Sequence, residues 1–267
     1  MSKSSSQKEV WAKMADHWSK EDVQAQIEES QFFKSYTIAM EKWFPLESGM
    51  IVLEPGSGTG SLSVFVAQRW DVRVMCLDFI SDSLEIARRK FLDMGVTGDF
   101  IQADIRYMPF KENTIDLVFN EGVIEHFRMP ERQNVVDEMS RVSSKFVAIF
   151  VPNSLNPFRA VAKRVQIIQK RWSFGLEIPY SPWELKHRLE KTGMKVVKKA
   201  GVNFYKIFYT YWPIRLFLPQ ILVKLLGDKL YQINASESFL NRIFGDEIYM
   251  LATKDSANDT TKHRERA

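Results

Sequence analysis

The sequence predicts an α/β fold: a mostly parallel sheet covered by helices on both faces. Three observations carry this. Apolar runs of strand length alternate with helical patterns through the first two-thirds of the chain. The first such run enters a turn with three alternating glycines, "LEPGSGTG", and then a helical pattern. A last strand-like run, "EIYMLATK", closes the pattern. Strand, helix, strand at this rhythm buries both faces of a parallel sheet. A chain of 267 residues suits one such domain with an elaborated cap.

Ahead of the first strand, "KEVWAKMADHWSKEDVQAQIEESQFFKSYTIAMEKWF" reads as two amphipathic helices, and residues 1–46 are expected to form a helical lid. The main domain then occupies 47–254. Its expected strands are Met50–Glu54, Val72–Leu77, Asp99–Gln102, Ile115–Asn120 and Lys145–Val151, with helices Ser61–Arg69, Asp82–Met94 and Glu131–Val142 between them. Ser81 and Asp82 are the capping candidates for the second of these helices, and Gly95 its stop. After Val151 the rhythm breaks. A basic segment over 153–180 with helical character reads as a cap insertion. "SPWELKHRLEKTGMKVVKKAG" restores a helix, with Pro182 in its first turn, and a strand near Lys195–Ala200. A second insertion, 204–245, mixes prolines with aromatics, and the polar tail 255–267 is expected to be disordered.

Composition narrows the function classes. The single cysteine, Cys76, lies inside the second strand, so no internal disulfide is possible and the thiol is expected to be inert packing. No apolar leader is visible at the N-terminus, and no uncharged apolar run approaches the ~20 residues of a membrane span. A cytoplasmic protein, in peripheral contact with a membrane at most, is the expectation. The formal net charge of +4 is unevenly spread: between Leu155 and Leu226 there are 14 Lys and Arg against 3 Asp and Glu. Arg159, Lys163, Arg164, Lys170 and Arg171 are candidates to lie beside an anionic membrane surface, or simply to be a solvated basic face.

In open α/β sheets, ligands sit at the carboxyl ends of the strands where strand order reverses. "LEPGSGTG" lies at the first such end. Gly56, Gly58 and Gly60 clear side chains from the approach path, and the following helix N-terminus favours polar or anionic groups. The second strand ends in "CLDFI", placing Asp78 where an acid accepts hydrogen bonds from both hydroxyls of a ribose. Phe79 is next to it, available to an adenine face. In "QADIRYMPF", Asp104 is placed to accept from an exocyclic amine. Together these residues describe a nucleoside site with no demand for phosphate.

The succession "VLEPGSGTG", "CLDFI", "QADIRYMPF" and "IDLVFNEGVIEHF" resembles the class I S-adenosylmethionine-dependent methyltransferases of small-molecule type, from about Met50 to Val151, with "ELKHRLEKTGMKVV" and the closing strand besides. The resemblance implies a Rossmann-like sheet of seven strands, the last antiparallel, and S-adenosylmethionine as cofactor. Glu54, Gly56, Ser57, Gly58 and Gly60 would surround its methionine part. Asp78 would bind the ribose, and Phe79, Asp104 and Ile105 would frame the adenine. Asn120 and Glu121 would face the amino-acid and sulfonium end. A dinucleotide site fits less well, because Ser61 stands where G-x-G-x-x-G wants its third glycine.

Methyl transfer from a sulfonium is an in-line displacement that needs orientation and sometimes a base. His126 in "GVIEHF" is the candidate base, with packing of the next helix as its plain alternative. His17 and His187 read as surface positions. Some quinone-pathway methyltransferases carry Glu, two residues, then Glu-His here; Gly122 occupies the place of the first glutamate, so no metal is expected. Aromatic residues crowd both cap regions, among them Trp11, Trp18, Phe32, Phe33, Trp43, Phe158, Trp172 and Phe174, which suits a hydrophobic small-molecule or lipid-like acceptor and O-methylation. The alternatives are a catalytically silent relative that docks on membrane or RNA through the basic cap, and, as a minor one, an NAD-binding oxidoreductase. "NEGV" after the fourth strand lacks the NPPY-like tetrad of DNA amino-methylating enzymes, so a nucleic-acid partner is not expected.

Overall fold

The computed structural model describes residues 9–14, 31–203 and 235–254. Its eight-stranded sheet consists of β1 (Ile51–Pro55), β2 (Arg73–Asp78), β3 (Asp99–Gln102), β4 (Ile115–Glu121), β5 (Ser143–Pro152), β6 (Lys195–Val202), β7 (Ala235–Ser236) and β8 (Glu247–Thr253). The order is β3-β2-β1-β4-β5-β8-β6-β7. Strands β1 to β5 pair parallel, whereas β8 runs antiparallel between β5 and β6. The seven expected strands are all present, and the two-residue β7 adds an edge beside β6. Strand order reverses between β1 and β4, so their carboxyl ends open the crevice in which such sheets bind ligands.

Helices α1 (Gln31–Trp43), α2 (Ser61–Arg69), α3 (Ser81–Asp93), α4 (Glu131–Val142), α5 (Pro157–Ile168), α6 (Pro182–Lys191) and α7 (Phe239–Phe244) complete the fold. Strand alternation divides the core in two. Val52, Cys76, Leu117, Phe119 and Phe150 face α1, α2 and α3. Leu53, Leu77, Val118, Val147 and Ile149 face α4 and α6. The spacing Phe33, Tyr36, Met40 lays one stripe of α1 on the first face, where Tyr36 meets the Phe150 ring edge-on at 5.3 Å and Phe44 meets Phe119 at 5.3 Å. Residues 31–43 are therefore core, and the border expected at residue 46 falls inside the packed unit. Residues 1–8, 15–30, 204–234 and 255–267, with His17, Trp18, most of the second insertion and the tail, lie outside the described residues.

Local chemistry explains the helix ends. Ser181 caps α6 by accepting from the Glu184 N–H at 3.1 Å, with Pro182 in the first turn as expected. Helix α3 departs from expectation. Ile80 holds its cap position, neither Ser81 nor Asp82 caps it, and the Ile80 N–H instead donates to Asp78 Oδ1 at 2.9 Å. The carboxylate that ends β2 thus sets the entry into α3.

Candidate active site

The glycine turn after β1 is held from behind by β2. Gly56 and Ser57 donate their N–H groups to the Leu77 carbonyl, at 2.6 and 3.1 Å. Gly56, Gly58 and Gly60 have φ of 76°, 52° and 72°, a left-handed conformation that side chains disfavour. Their surroundings differ. A Cβ on Gly56 would come within 2.6 Å of Val123, and one on Gly60 within 2.8 Å of Ala87 on α3. A Cβ on Gly58 would meet nothing within 4 Å. Two glycines let the turn pack; the middle one looks onto open space.

Asp78 borders that space. Its Oδ2 accepts from the Gly58 N–H at 2.9 Å while Oδ1 accepts from Ile80, so the carboxylate ties β2 to the turn. Burial raises its pKa, and the backbone N–H donors oppose that rise. Phe79 next to it is 40 % exposed, an aromatic face left uncovered at the mouth. The Ala103 N–H donates to the Asp78 carbonyl at 3.1 Å and brings Asp104 and Ile105 alongside. Asp104 is already occupied: Arg106 grips both carboxylate oxygens at 2.6–3.1 Å, which lowers its pKa against the opposing effect of burial. A ligand amine there would share the acceptor with a guanidinium. Ile105 is buried in the core of the second face.

Glu54 lies behind the turn on the first sheet face, where its Oε2 accepts from the Ser63 hydroxyl of α2. It is 4 % exposed, and burial pushes its pKa up to about 8, with Glu121 and Asp78 adding to the rise and Ser63 opposing it. Glu54 is thus protonated at neutral pH. The unfolded group ionises near 4.5, so this contribution to stability is complete below about pH 4.5 and is lost as pH climbs towards 8. Glu54→Gln, which fixes the neutral form, is expected to raise Tm at pH 8 and change it little at pH 4.5. The differential is on the order of 4 kcal/mol. Thermal melts at both pH values check this.

At the end of β4, Asn120 and Glu121 take opposite faces. Asn120 is fully buried with its amide against the Met139 sulfur of α4 at 3.6 Å, on the helix side of the sheet. Glu121 points the other way, its Oε1 accepting from the Tyr36 hydroxyl at 3.0 Å. The same hydroxyl contacts Glu247 Oε2 at the start of β8. Tyr36 thus ties the end of β4 to the start of β8. Glu125 is 2 % exposed, and burial together with Glu121, Glu177 and Glu247 raises its pKa well above the usual range. The meeting of Tyr36 with Glu121 and Glu247 was not legible in the sequence: Tyr36 has the spacing of a core position, and Glu247 lies 211 residues from it.

His126 closes a short 3-10 turn, Ile124–His126. Its Nδ1 contacts the Leu176 carbonyl oxygen and therefore carries a proton, while Nε2 lies 3.7 Å from Glu125 Oε1. Its side chain is only 7 % exposed, and burial holds it below its ordinary pKa. Trp11, from the helical residues 9–14, meets the imidazole edge-on at 4.6 Å. The N-terminal segment therefore reaches the carboxyl ends of the strands, as a covering piece would.

Known proteins extend this geometry. Residues 52–145 match the family model for a methyltransferase domain. The ubiquinone/menaquinone biosynthesis C-methyltransferase UbiE of Blochmanniella pennsylvanica is 40 % identical over 88 residues, 32 % of this chain and 35 % of that protein. The chain thus spans about a third of the length of the curated relatives it matches. A solved S-adenosylmethionine-dependent methyltransferase of Thermotoga maritima, titled a possible histamine N-methyltransferase, superposes with a TM-score of 0.61 at 16 % identity, covering 92 % of this chain and 99 % of that one. Magnesium protoporphyrin IX methyltransferase of Synechocystis with bound S-adenosylhomocysteine superposes with a TM-score of 0.57 at 13 % identity, covering 92 % and 99 %. At these identities the superpositions establish the fold. Fold, motif order and family match agree: residues 52–145 match a methyltransferase domain, and the sheet around them has the Rossmann-like methyltransferase fold.

Proposed function

We propose that the protein transfers the methyl group of S-adenosylmethionine to a hydrophobic small-molecule or lipid-like acceptor, by O-methylation. The observation that carries the cofactor reading is the open space over Gly58, bordered by the Asp78 carboxylate and the uncovered Phe79 ring. A nucleoside fits this donor set, with ribose hydroxyls donating to Asp78 and the base lying near Phe79, Asp104 and Ile105. Gly56, Ser57, Gly58 and Gly60 with Glu54 and Glu121 would hold the methionine part. When bound, the cofactor supplies an activated methyl group. The protein's own share is orientation, exclusion of water by the N-terminal segment around Trp11, and a proton acceptor at His126 Nε2. A neutral imidazole suits that last task.

A second reading of the acceptor has its own observation. Glu125 and Glu247 are buried and Glu121 lies beside them near the strand ends; such carboxyl groups would draw in an amine as its cation and take its proton, freeing the lone pair for N-methylation. Incubation with methyl-labelled S-adenosylmethionine and separate panels of phenols, lipid-like alcohols and amines is expected to label a compound of the first two classes. Labelling of amines alone replaces the first reading by the second. No labelling together with no S-adenosylhomocysteine binding by calorimetry removes both. Peripheral contact with a membrane belongs to the same proposal, since lipid-like acceptors reside there.

A further inference from the structure

The basic cap does not use its charges as the sequence suggests. Asn156 caps α5 by accepting from the N–H groups of Phe158 and Arg159, and its amide donates to the Phe244 carbonyl at 3.0 Å, which fixes the helix against the end of α7. With the helix so placed, Arg159 and Lys163 turn inward. Arg159 bridges Asp246 at 2.8 Å and Glu177 at 2.9 Å, and Lys163 reaches Glu177 at 3.0 Å while lying 4.6 Å from the centre of the Trp172 ring. Burial would weaken the Arg159 charge, yet the Asp246 and Glu177 carboxylates hold its pKa above the ordinary value. These two cations, expected on the surface, face the body of the protein with their side chains 15 and 18 % exposed.

The opposite face is apolar. Val161, Val165 and Ile168, at i, i+4 and i+7, share one stripe and are 60, 43 and 80 % exposed; Ile167 next to them is 52 % exposed. No residue of α5 is buried. The helix is inside-out, with ion pairs against the body of the protein and aliphatic side chains towards solvent. Along the segment that carries the stripe the charge has one sign. From Pro157 to Leu176 the chain carries no Asp or Glu. Arg164, Lys170 and Arg171 are exposed, and none of the ion pairs among the described residues involves them. An aliphatic stripe whose own segment carries only cations is complementary to a surface with an apolar interior and an anionic skin.

We infer that the outward face of α5 docks the protein on an anionic bilayer surface, Val161, Val165 and Ile168 entering the headgroup–acyl boundary and Arg164, Lys170 and Arg171 engaging lipid phosphates. For its purpose, delivery of a lipid-like acceptor, this rests on the proposed function; its test does not. Burial of an apolar helix face together with attraction to anionic lipid is how interfacial helices bind, and each basic residue near such a surface contributes about 1 kcal/mol, a factor of about five in partitioning.

The test is co-sedimentation of the full chain with phosphatidylcholine vesicles, with and without phosphatidylglycerol, at low and high salt. The expected result is binding to the phosphatidylglycerol vesicles alone, weakened by salt. Val161→Ser/Val165→Ser/Ile168→Ser should reduce it at least about 10-fold, and Arg164→Gln/Lys170→Gln/Arg171→Gln about 100-fold. Both variants should bind S-adenosylhomocysteine as the parent does, which shows that they are folded. Indifference to anionic vesicles at low salt overturns the inference, as does binding that survives the apolar triple substitution. A dimer that the serine variant dissolves, without vesicle binding, assigns the face to a second copy instead. A Val161→Cys thiol that resists a polar maleimide shows the face to be covered within the chain and likewise overturns the proposal. Vesicle binding by a chain that fails to bind S-adenosylhomocysteine would leave the docking face standing and remove the enzymatic reading.

Discussion

Asp78→Asn is expected to raise the dissociation constant for S-adenosylhomocysteine at least about 100-fold. Two ribose hydroxyls donating to a charged acceptor are worth about 1.5–3 kcal/mol each, and every 1.4 kcal/mol is a factor of about ten. The substitution keeps the shape of the side chain, and its amide oxygen still accepts one of the two N–H bonds that now come from Gly58 and Ile80. The fold should therefore survive, which far-ultraviolet circular dichroism checks alongside calorimetry. A variant that is folded and binds within about threefold of the parent would remove Asp78 from the ribose and leave it only the tie between β2, the glycine turn and the entry of α3.

The second large effect separates glycines that pack from the glycine that faces the ligand. All three have positive φ, so an alanine at any of them is strained by about 1–2 kcal/mol. Gly60→Ala adds a methyl group 2.8 Å from the Ala87 Cβ and 3.4 Å from its Cα, and α3 must move to admit it. Overpacking of that kind costs a further 1–3 kcal/mol, roughly, so Gly60→Ala is expected to lose about 2–5 kcal/mol of stability. Gly56→Ala meets Val123 at 2.6 Å and should behave alike, though Val123 can yield more readily than backbone. Gly58→Ala bears only the strain and stays folded, yet its methyl group enters the open space where the proposed function places the cofactor. Its affinity for S-adenosylhomocysteine should fall at least about 10-fold while Tm drops by only a few degrees. Denaturant midpoints and calorimetry on the three variants give the comparison. Equal stability losses at Gly58 and Gly60 with equal affinity losses would mean that the turn acts as one packed unit with no open side.

Much of the candidate site's geometry was readable in the chain because its determinants are local. The glycine turn, the acid ending β2 and the acidic segment after β3 each sit at a strand end, and strand ends follow from short apolar runs and their punctuation. Where expectation and structure part, the reason is distance along the chain. Asn120 and Glu121 are neighbours in sequence and were expected to face one ligand. Strand alternation sends the first to Met139 and the second to Tyr36. Asp104 was expected to present an open carboxylate, and Arg106 two residues on already holds it. His126 was weighed between base and packing; the structure gives it a buried place with one nitrogen committed to Leu176 and its ring against Trp11, 115 positions away (126 − 11).

The sequence by itself determined the order and kind of the strands, the left-handed glycine turn and the carboxylate beside it, since periodicity and backbone freedom are properties of a few consecutive residues. Only the tertiary structure decided that residues 31–43 belong to the core, that one tyrosine hydroxyl bridges carboxylates from two strands, and that α5 turns Arg159 and Lys163 inward and its aliphatic side chains outward. Those outcomes depend on which faces meet, and a helix shows the same amphipathic pattern whichever way it is turned. Its orientation is set by partners such as Asp246 and Glu177, which come close to Arg159 only after the sheet has brought β8 beside β5.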